Sequence, residues 1–273
     1  MTRALKEILK GELGEDAGKV YGSFDIIGDL AIVRVPEELQ SRMEAIGRAI
    51  MKLNKSIRGV WAQVGPVEGD YRVRKLVHIA GENRSTTVYR EAGCSFELDI
   101  TSVYFSPRLS TERIRIAQLV NEGESVFNMF AGVGTFSIII AKRKQSVKVH
   151  SSEINPAAYE YMLKNIRLNR VEGKVIPYLN DACEVSNLLR GTIDRVLMPL
   201  PERALEFYDC ALRSLKDRGW IHIYLHVPYS KGESPREAAQ KSSELVPKGR
   251  VINTRIVREV GPRLLQVVHD VQI

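Results

Sequence analysis

Residues 126–142 read VFNMFAGVGTFSIIIAK, and this stretch decides how the second half of the chain is interpreted. Apolar residues lead into Gly132 and Gly134, and a second apolar run follows the two glycines. The first run predicts a buried strand, the glycines predict a tight turn, and FSIIIAK predicts a helix. A glycine turn between a strand and a helix lets the backbone approach a ligand closely. The loop is therefore the candidate binding site of this chain.

Predicted helices and strands alternate throughout the region after Ser110. STERIRIAQLVNEG reads as a helix, SVFNMF reads as a strand, and further pairs follow as far as GWIHIYLHVP. Such alternation is typical of an α/β fold with a doubly wound parallel sheet. The last two apolar runs, VINTRIVREV and RLLQVVHDVQI, have no helix between them. They predict an antiparallel hairpin that completes the sheet.

The first part of the chain predicts a different, smaller architecture. SFDIIGDLAIVRV reads as a hairpin broken at Gly28, a helix begins at Pro36, and four alternating segments read as antiparallel strands. The opening residues predict a short amphipathic helix. The predicted organisation is a helical extension over residues 1–22, a small α+β domain over 23–105 and an α/β domain over 106–273.

Composition excludes several classes of protein. The apolar fraction of 44% and the charged fraction of 27% are those of a soluble globular protein. No run approaches the roughly 18–20 apolar residues that cross a bilayer, and the first residues contain no signal-peptide core. Cys94, Cys183 and Cys210 lie far apart. This spacing argues against a zinc site or a disulfide framework, so we expect a cytoplasmic protein without metal or membrane contact.

The net charge of +7 is unevenly distributed along the chain. Residues 1–100 carry 15 basic and 15 acidic side chains, whereas residues 101–273 carry 25 basic and 18 acidic ones. The whole excess of positive charge therefore belongs to the part that contains the glycine loop. It favours a polyanionic partner such as nucleic acid, although a solvated basic face remains an alternative.

The residues around the loop favour a nucleoside without phosphate. Ser137 occupies the third glycine position of a dinucleotide fingerprint, and no Gly-Lys-Ser/Thr of a P-loop follows. Glu153 ends the next predicted strand, where a carboxylate can accept hydrogen bonds from both ribose hydroxyls. Asp181 ends the third predicted strand of this region, where it can accept a hydrogen bond from the adenine amino group. Both could instead be loop carboxylates or helix caps. Together they predict S-adenosylmethionine as the ligand. Its predicted contacts in this region are Phe130, Ala131, Gly132, Val133, Gly134, Glu153, Ile154, Asp181 and Ala182.

Five sequence blocks together carry a family resemblance. They are VYFSPRLSTERIRIAQLV, FNMFAGVGTFSI, SSEINPAAYEYMLKNIRLN, NDA and DRVLMPLPERALEF. The chain resembles, over roughly residues 23–273, the archaeal and eukaryotic tRNA methyltransferases that modify N1 of guanine at position 37. The resemblance implies a class I, Rossmann-like methyltransferase domain behind a small N-terminal domain, and it implies the anticodon stem-loop of tRNA as partner. Many members carry a further domain that checks the tRNA elbow, which we expect this chain to lack.

The resemblance also assigns chemical roles. Glu112 matches the family's general base, which removes the N1 proton, although an acid in the first turn of a helix also complements the helix dipole. Arg72 matches the arginine that stabilises charge on the exocyclic oxygen, and Arg74 could take that role instead. Either arginine could also be a solvated strand residue.

Three further residues of the YFSPRLSTER block receive roles by resemblance. Tyr104 is implied to stack on the flipped base or on the donor, and Arg113 is implied to contact the donor. Arg108 suits a backbone phosphate. A half-buried strand aromatic and surface arginines are the alternatives.

One departure from the family bears on the target base. The family usually has Asn-Leu-Pro where this chain has Pro199, Leu200 and Pro201, and Asn128 stands where aspartate is common. Proline offers no side-chain amide and no backbone N–H for hydrogen bonding. One archaeal branch methylates C7 of 4-demethylwyosine, a bulkier tricyclic base made from methylated guanine at position 37. Both targets stay open, with the wyosine precursor favoured and tRNA-Phe then the expected substrate of a monomeric enzyme.

Three other interpretations fit parts of the same sequence. An aminocarboxypropyl transferase of the wybutosine pathway shares the fold and the cofactor but transfers a different carbon. A catalytically silent relative would bind tRNA without the donor. A dehydrogenase would use the glycine loop for a dinucleotide, which Ser137 disfavours.

Overall fold

The computed structural model describes residues 2–20, 23–69, 71 and 73–273. The chain divides into two compact units, one ending at Pro107 and the other running from Arg108 to Ile273. Each is described by itself. Within the described ranges, no helix combines the length and the apolar character needed to span a membrane.

The first unit has two helices packed on a mixed sheet, together with a separate hairpin. Its elements are α1 (Thr2–Leu13), β1 (Phe24–Ile27), β2 (Leu30–Arg34), α2 (Met43–Leu53), β3 (Gly59–Glu68), β4 (Val73–Gly81), β5 (Thr86–Glu91) and β6 (Cys94–Asp99). The sheet order is β1-β2-β3-β4, and β5 pairs only with β6. A 3-10 helix, Glu37–Arg42, precedes α2, so the helix predicted to begin at Pro36 starts in 3-10 form.

The core of the first unit explains its topology. Ile46 and Ile50 of α2 are fully buried with Val33 of β2 and Val60 of β3. Because α2 crosses the sheet between β2 and β3, these two strands run parallel, whereas β3–β4 and β5–β6 are antiparallel as the sequence indicates. Leu9 of α1 belongs to the same core. The predicted extension over residues 1–22 therefore contributes buried side chains to this unit.

The second unit alternates helices and strands. Its elements are α3 (Ser110–Leu119), β7 (Ser125–Asn128), α4 (Thr135–Arg143), β8 (Lys148–Glu153), α5 (Pro156–Leu168), β9 (Val175–Leu179), α6 (Ala182–Leu188), β10 (Ile193–Met198), α7 (Tyr208–Ser214), β11 (Leu215–Pro228), α8 (Pro235–Lys241), β12 (Arg250–Gly261) and β13 (Leu264–Gln272). The strand order is β12-β13-β11-β10-β7-β8-β9. β13 runs in the direction opposite to the other six strands of this sheet. The predicted α/β fold with a closing hairpin is confirmed.

The two faces of this sheet differ in chemistry. One face packs apolar side chains such as Phe127, Val196 and Ile221 against α6, α7 and α8. Side chains alternate along a strand, so the next residues point to the other face. There Asn128 lies beside α4, and His222 belongs to a buried polar layer that reaches α3.

Cys183 of α6 and Cys210 of α7 form a disulfide, with their Cα atoms 5.1 Å apart. The sequence-based prediction against disulfides is wrong for this pair, while Cys94 is free and buried. The two cysteines are 27 residues apart in sequence and meet because α6 and α7 pack side by side.

Candidate functional site

The glycine loop lies at the carboxyl end of β7 and is held in one conformation. Gly132 and Gly134 have φ angles of 55° and 89°, a region that residues with a Cβ rarely adopt. A Cβ on Gly134 would also lie 3.0 Å from side-chain atoms of Ile138 and Met162. Ala131 donates its N–H to the carbonyl of Ser152 at 2.9 Å, which ties the loop to β8. Glycine is therefore required by the shape of the turn.

Ser137 has a structural role that explains its place at the third glycine position. Its buried hydroxyl oxygen accepts from Nδ2 of Asn128 at 3.0 Å and from Oγ of Ser151 at 2.8 Å. These bonds tie the first turn of α4 to β7 and β8. A glycine at this position would leave both partners without that acceptor in the sheet interior.

Glu153 connects the end of β8 with the glycine loop. Its Oε2 accepts from the Gly132 N–H at 2.6 Å, and its Oε1 accepts from the Asn155 N–H at 2.8 Å. Partial burial raises the pKa of Glu153, and the backbone hydrogen bonds from Asn155 and Gly132 act in the opposite direction. Ile154 beside it is 47% exposed. The edge thus combines a hydrogen-bond acceptor with an apolar surface, as a ribose and a flat base require.

Asp181 follows β9 and caps α6. Its Oδ1 accepts from the Cys183 N–H at 2.7 Å. This oxygen therefore caps the helix, which is the alternative role that the sequence indicated for Asp181. A carboxylate has further acceptor capacity, so capping leaves it able to accept a second donor. Ala182 is buried behind it.

Two apolar residues of the loop, Phe130 and Val133, make contacts inside the protein. Val133 is buried, and its carbonyl accepts from Nδ2 of Asn165 at 3.1 Å. The half-buried Phe130 ring makes an edge contact with Phe207, with the ring centroids 5.0 Å apart. These contacts fix the loop in addition to its hydrogen bonds with Ser152 and Glu153.

Glu112 lies in the first turn of α3 and is 2% exposed. Its Oε2 accepts from Nε of Arg115 at 2.9 Å, and its Oε1 accepts from Nη2 of the same residue at 2.7 Å. The hydroxyl of Tyr224 on β11 donates to Oε1 at 2.8 Å. Neither Arg115 nor Tyr224 was predicted as a site residue, because nothing in the local sequence pattern links them to Glu112.

The network continues across the sheet. Arg115 also donates to both oxygens of Asp270 on β13, at 2.7 and 3.0 Å. Asp270 lies 2.6 Å from Nδ1 of His222 and accepts from Nδ2 of Asn253. Burial alone would raise the pKa of Asp270, but hydrogen bonds from His222 and Arg115 hold this pKa well below its usual range. α3 therefore rests on the sheet through charged and polar groups.

The first unit contains the predicted residues Arg72, Arg74 and Tyr104. Arg72 lies outside the described residues. Arg74 is 10% exposed, lies 3.6 Å from Asp25 and donates to the carbonyl of Phe105 at 3.1 Å. Its guanidinium carbon lies 5.7 Å from the centroid of the Tyr104 ring. Arg74 thus supports the Tyr104–Phe105 backbone and is not a solvated strand residue.

The remaining predicted residues differ in exposure. Arg108 is exposed, whereas Arg113 on α3 is 2% exposed. Pro199 is half-buried beyond the end of β10, and Pro201 is buried. Arg108 has the exposure that a phosphate contact requires, and Arg113 is not a surface arginine.

The strand order with an antiparallel β13 beside β12, the glycine turn after β7 and an acid after β8 define a class I methyltransferase unit. The chain matches the profile of the TRM5/TYW2 methyltransferase domain over residues 87–244 and that of the TYW2 N-terminal domain over residues 5–85. It belongs to the TRM5/TYW2 methyltransferase family.

Two relatives and one solved structure illustrate the similarity. The chain is 42% identical to tRNA (guanine(37)-N(1))-methyltransferase Trm5b of Pyrococcus abyssi, over 92% of this chain and 74% of the relative. It is 37% identical to tRNA 4-demethylwyosine(37)-methyltransferase Taw21 of Saccharolobus solfataricus, over 94% and 96%. The crystal structure of Methanocaldococcus jannaschii Trm5 in complex with adenosine superposes with a TM-score of 0.80 at 36% identity, covering 97% of this chain and 77% of that one.

These similarities confirm the predicted family with its wyosine branch, the fold class, and a methyltransferase that uses S-adenosylmethionine. A dehydrogenase is set aside. The roles of the individual residues stay predictions.

Proposed function

We propose that this enzyme transfers a methyl group from S-adenosylmethionine to the purine-derived base at position 37 of tRNA. Both relatives described above act on position 37, one on guanine N1 and the other on 4-demethylwyosine. The observation that carries the proposal is the hydrogen bond between Glu153 and the Gly132 backbone. This bond supports the proposal because it holds the Glu153 carboxylate, our assigned ribose acceptor, directly against the glycine turn.

The donor is held mainly through its nucleoside. Glu153 accepts the ribose hydroxyls, Ile154 covers one face of the adenine, and Asp181 accepts from the adenine amino group with the oxygen not used in capping. Gly132 and Gly134 let the methionine part approach the loop backbone. The turn needs no phosphate-binding lysine, since the donor contains no phosphate.

The transfer itself is an in-line displacement at the methyl carbon. The bond from the acceptor atom to that carbon forms as the bond from sulfur to carbon breaks, and sulfur takes the electron pair and becomes neutral. Guanine N1 and C7 of the tricyclic base each lose a proton in the reaction. We assign that proton to the carboxylate of Glu112, a contribution of typically 10²–10⁴-fold.

Arginines of both units are assigned to the tRNA. Arg72 stabilises negative charge on the exocyclic oxygen of the base, and Arg74 supports Tyr104, which stacks on the base or the donor. Arg113 contacts the donor, and Arg108 contacts a backbone phosphate. The positive charge of residues 101–273 favours the polyanion, and we place the enzyme in the cytoplasm as a monomer.

Pro199 favours 4-demethylwyosine as the target base. It follows β10, where the family's asparagine would donate an amide hydrogen bond to guanine, and it offers only an apolar ring. A larger, less polar base fits such a wall, and tRNA-Phe is then the substrate. Guanine N1 remains the second candidate, since a relative that acts on it is 42% identical.

The test compares three substrates: unmodified tRNA, tRNA with N1-methylguanine at position 37, and tRNA bearing the tricyclic precursor. We expect the precursor to gain a methyl group fastest, as shown by the mass of the digested nucleosides. Pro199→Asn should shift the preference toward guanine. An aminocarboxypropyl adduct in the same assay would identify the alternative transferase, and no product from any tRNA would favour the catalytically silent relative.

A further inference from the structure

The buried polar layer between α3 and the sheet is not required by the fold. On the opposite face of the sheet, α6, α7 and α8 pack through apolar side chains. Under α3, helix and sheet meet through Glu112, Arg115, Tyr224, Asp270 and His222, and four of these five are at most 5% exposed. Burying paired charges seldom stabilises a fold more than apolar packing of similar volume would. Such a layer therefore points to a positional role.

The hydrogen bonds fix both the direction and the plane of the Glu112 carboxylate. Arg115 presents two N–H groups to its two oxygens as a planar fork, which sets the plane. The Tyr224 hydroxyl reaches Oε1 from β11, an element on the other side of the interface. Three hydrogen bonds from two elements leave one lone pair, on Oε2, without a hydrogen bond, and Nε of Arg255 on β12 lies 3.8 Å from that oxygen.

We propose that Tyr224 and Arg115 are positioning residues that hold the Glu112 carboxylate for removal of the acceptor's proton. This inference rests on the proposed role of Glu112 as the base. A base must be held close to its optimal geometry, because a displacement of about 1 Å can lower a rate on the order of 100-fold.

Asp270 completes the arrangement by fixing Arg115 from the opposite side. The guanidinium of Arg115 lies between two carboxylates, so it cannot turn toward either one without losing the other. Asp270 is itself held by His222 and Asn253. The rigid sheet thus determines the position of a side chain on α3.

Tyr224 also connects this layer to the donor loop. Its ring packs against Phe136, two residues after Gly134, with the ring centroids 6.2 Å apart. The preceding residue, Ile223, pairs with Met198, so Tyr224 lies level with Pro199, the first residue beyond the carboxyl end of β10. This is the edge at which ligands bind in such sheets.

Tyr224→Phe tests the proposal by removing one hydroxyl and keeping the ring. We expect kcat to fall about tenfold, with unchanged KM for tRNA and for S-adenosylmethionine, because only the base is misplaced. The matched control is Tyr208→Phe on the opposite face of the sheet. Tyr208 is also buried, and its hydroxyl donates to the carbonyl of Lys248. This control should retain the parent kcat.

The same change is then made in a Glu112→Gln background. If Tyr224 acts through Glu112, Tyr224→Phe lowers kcat no further there. An equal loss in both backgrounds, a loss matched by Tyr208→Phe, or a change in KM alone would overturn the proposal. Parent-like kcat for Glu112→Gln itself would instead refute the assignment of the base.

Arg115→Lys provides an independent measurement. Lysine keeps the positive charge but not the planar fork, so we expect a loss of kcat on the order of 100-fold with donor affinity retained. Parent-like turnover in folded Arg115→Lys enzyme would show that charge alone suffices and would contradict positioning by geometry.

Discussion

At the residue scale, the proposed ribose acceptor, Glu153, is oriented by the protein itself. Its two oxygens already accept backbone N–H groups of Gly132 and Asn155, which orient the carboxylate. Each oxygen retains one further lone pair for a hydroxyl proton. The residue therefore couples the shape of the glycine turn to recognition of the sugar.

Donor affinity should depend on pH through Glu153. In the proposed site the ribose hydroxyls bind the ionised carboxylate, and burial raises the pKa of Glu153 above its ordinary value. The dissociation constant of S-adenosylmethionine should therefore be lowest at neutral pH and increase as pH falls through this raised pKa. Calorimetric titration at a series of pH values measures the effect.

Glu153→Gln is the matched variant for this measurement. It should bind the donor more weakly at neutral pH and lose the acid dependence, because glutamine does not titrate. An unchanged pH dependence in this variant would assign the effect to another group.

At the element scale, the disulfide joins α6 and α7, and α6 begins at the proposed adenine contact Asp181. Cys183 lies in the first turn of α6, and its N–H is capped by Asp181. Cys210 lies in α7. The bond links α6 to α7, and both helices pack on the apolar face of the sheet.

Cys210→Ala should lower the free energy of unfolding by roughly 3 kcal/mol, because the unfolded chain loses a cross-link that closes a 27-residue loop. Urea unfolding measures the difference. In excess dithiothreitol the parent should become as unstable as the variant. A parent protein whose stability is the same with and without dithiothreitol would indicate that the bond does not form in solution.

His269 makes the packing of β12, β13 and the segment after α8 sensitive to acid. It is fully buried, with Ser242 Oγ 3.0 Å from Nε2 and Thr254 Oγ1 2.9 Å from Nδ1. Burial lowers the pKa of His269 from 6.5 to about 4, although the Asp270 carboxylate acts in the opposite direction. The folded protein therefore keeps this ring neutral where the unfolded chain protonates it.

The contribution of the neutral His269 ring to the free energy of unfolding should be fully present above pH 6.5 and should be lost as the pH falls toward 4. The loss amounts to at most about 3 kcal/mol, from about 1.4 kcal/mol for each pKa unit of difference. Urea unfolding between pH 7.5 and 4.5 measures the slope. His269→Gln should flatten it, and a parent-like slope in that variant would assign the acid sensitivity elsewhere.

At the scale of the whole molecule, the sequence predicts what local pattern determines. Alternating apolar runs predict the parallel sheet, and the absence of a helix before the last strand predicts the hairpin. The spacing from Gly132 to Glu153 predicts one shared binding site, although not the hydrogen bond between the two residues. Each of these follows from neighbouring residues or from one strand–helix–strand unit.

Interactions between distant residues were not predictable in the same way. Arg115 and Asp270 are 155 positions apart, and neither stands out from ordinary surface charges in the sequence. The disulfide partners and the buried position of Arg74 depend likewise on how completed elements pack. Local periodicity shows which residues face inward but not which inward-facing polar groups meet.

The most direct test of the whole account is a crystal structure of the enzyme with S-adenosylmethionine. We predict the ribose hydroxyl oxygens about 2.6–3.2 Å from the carboxylate of Glu153, the adenine against Ile154 and the methionine part along Gly132–Gly134. An empty crevice at saturating donor, or a donor bound elsewhere with Glu153 uninvolved, would contradict it.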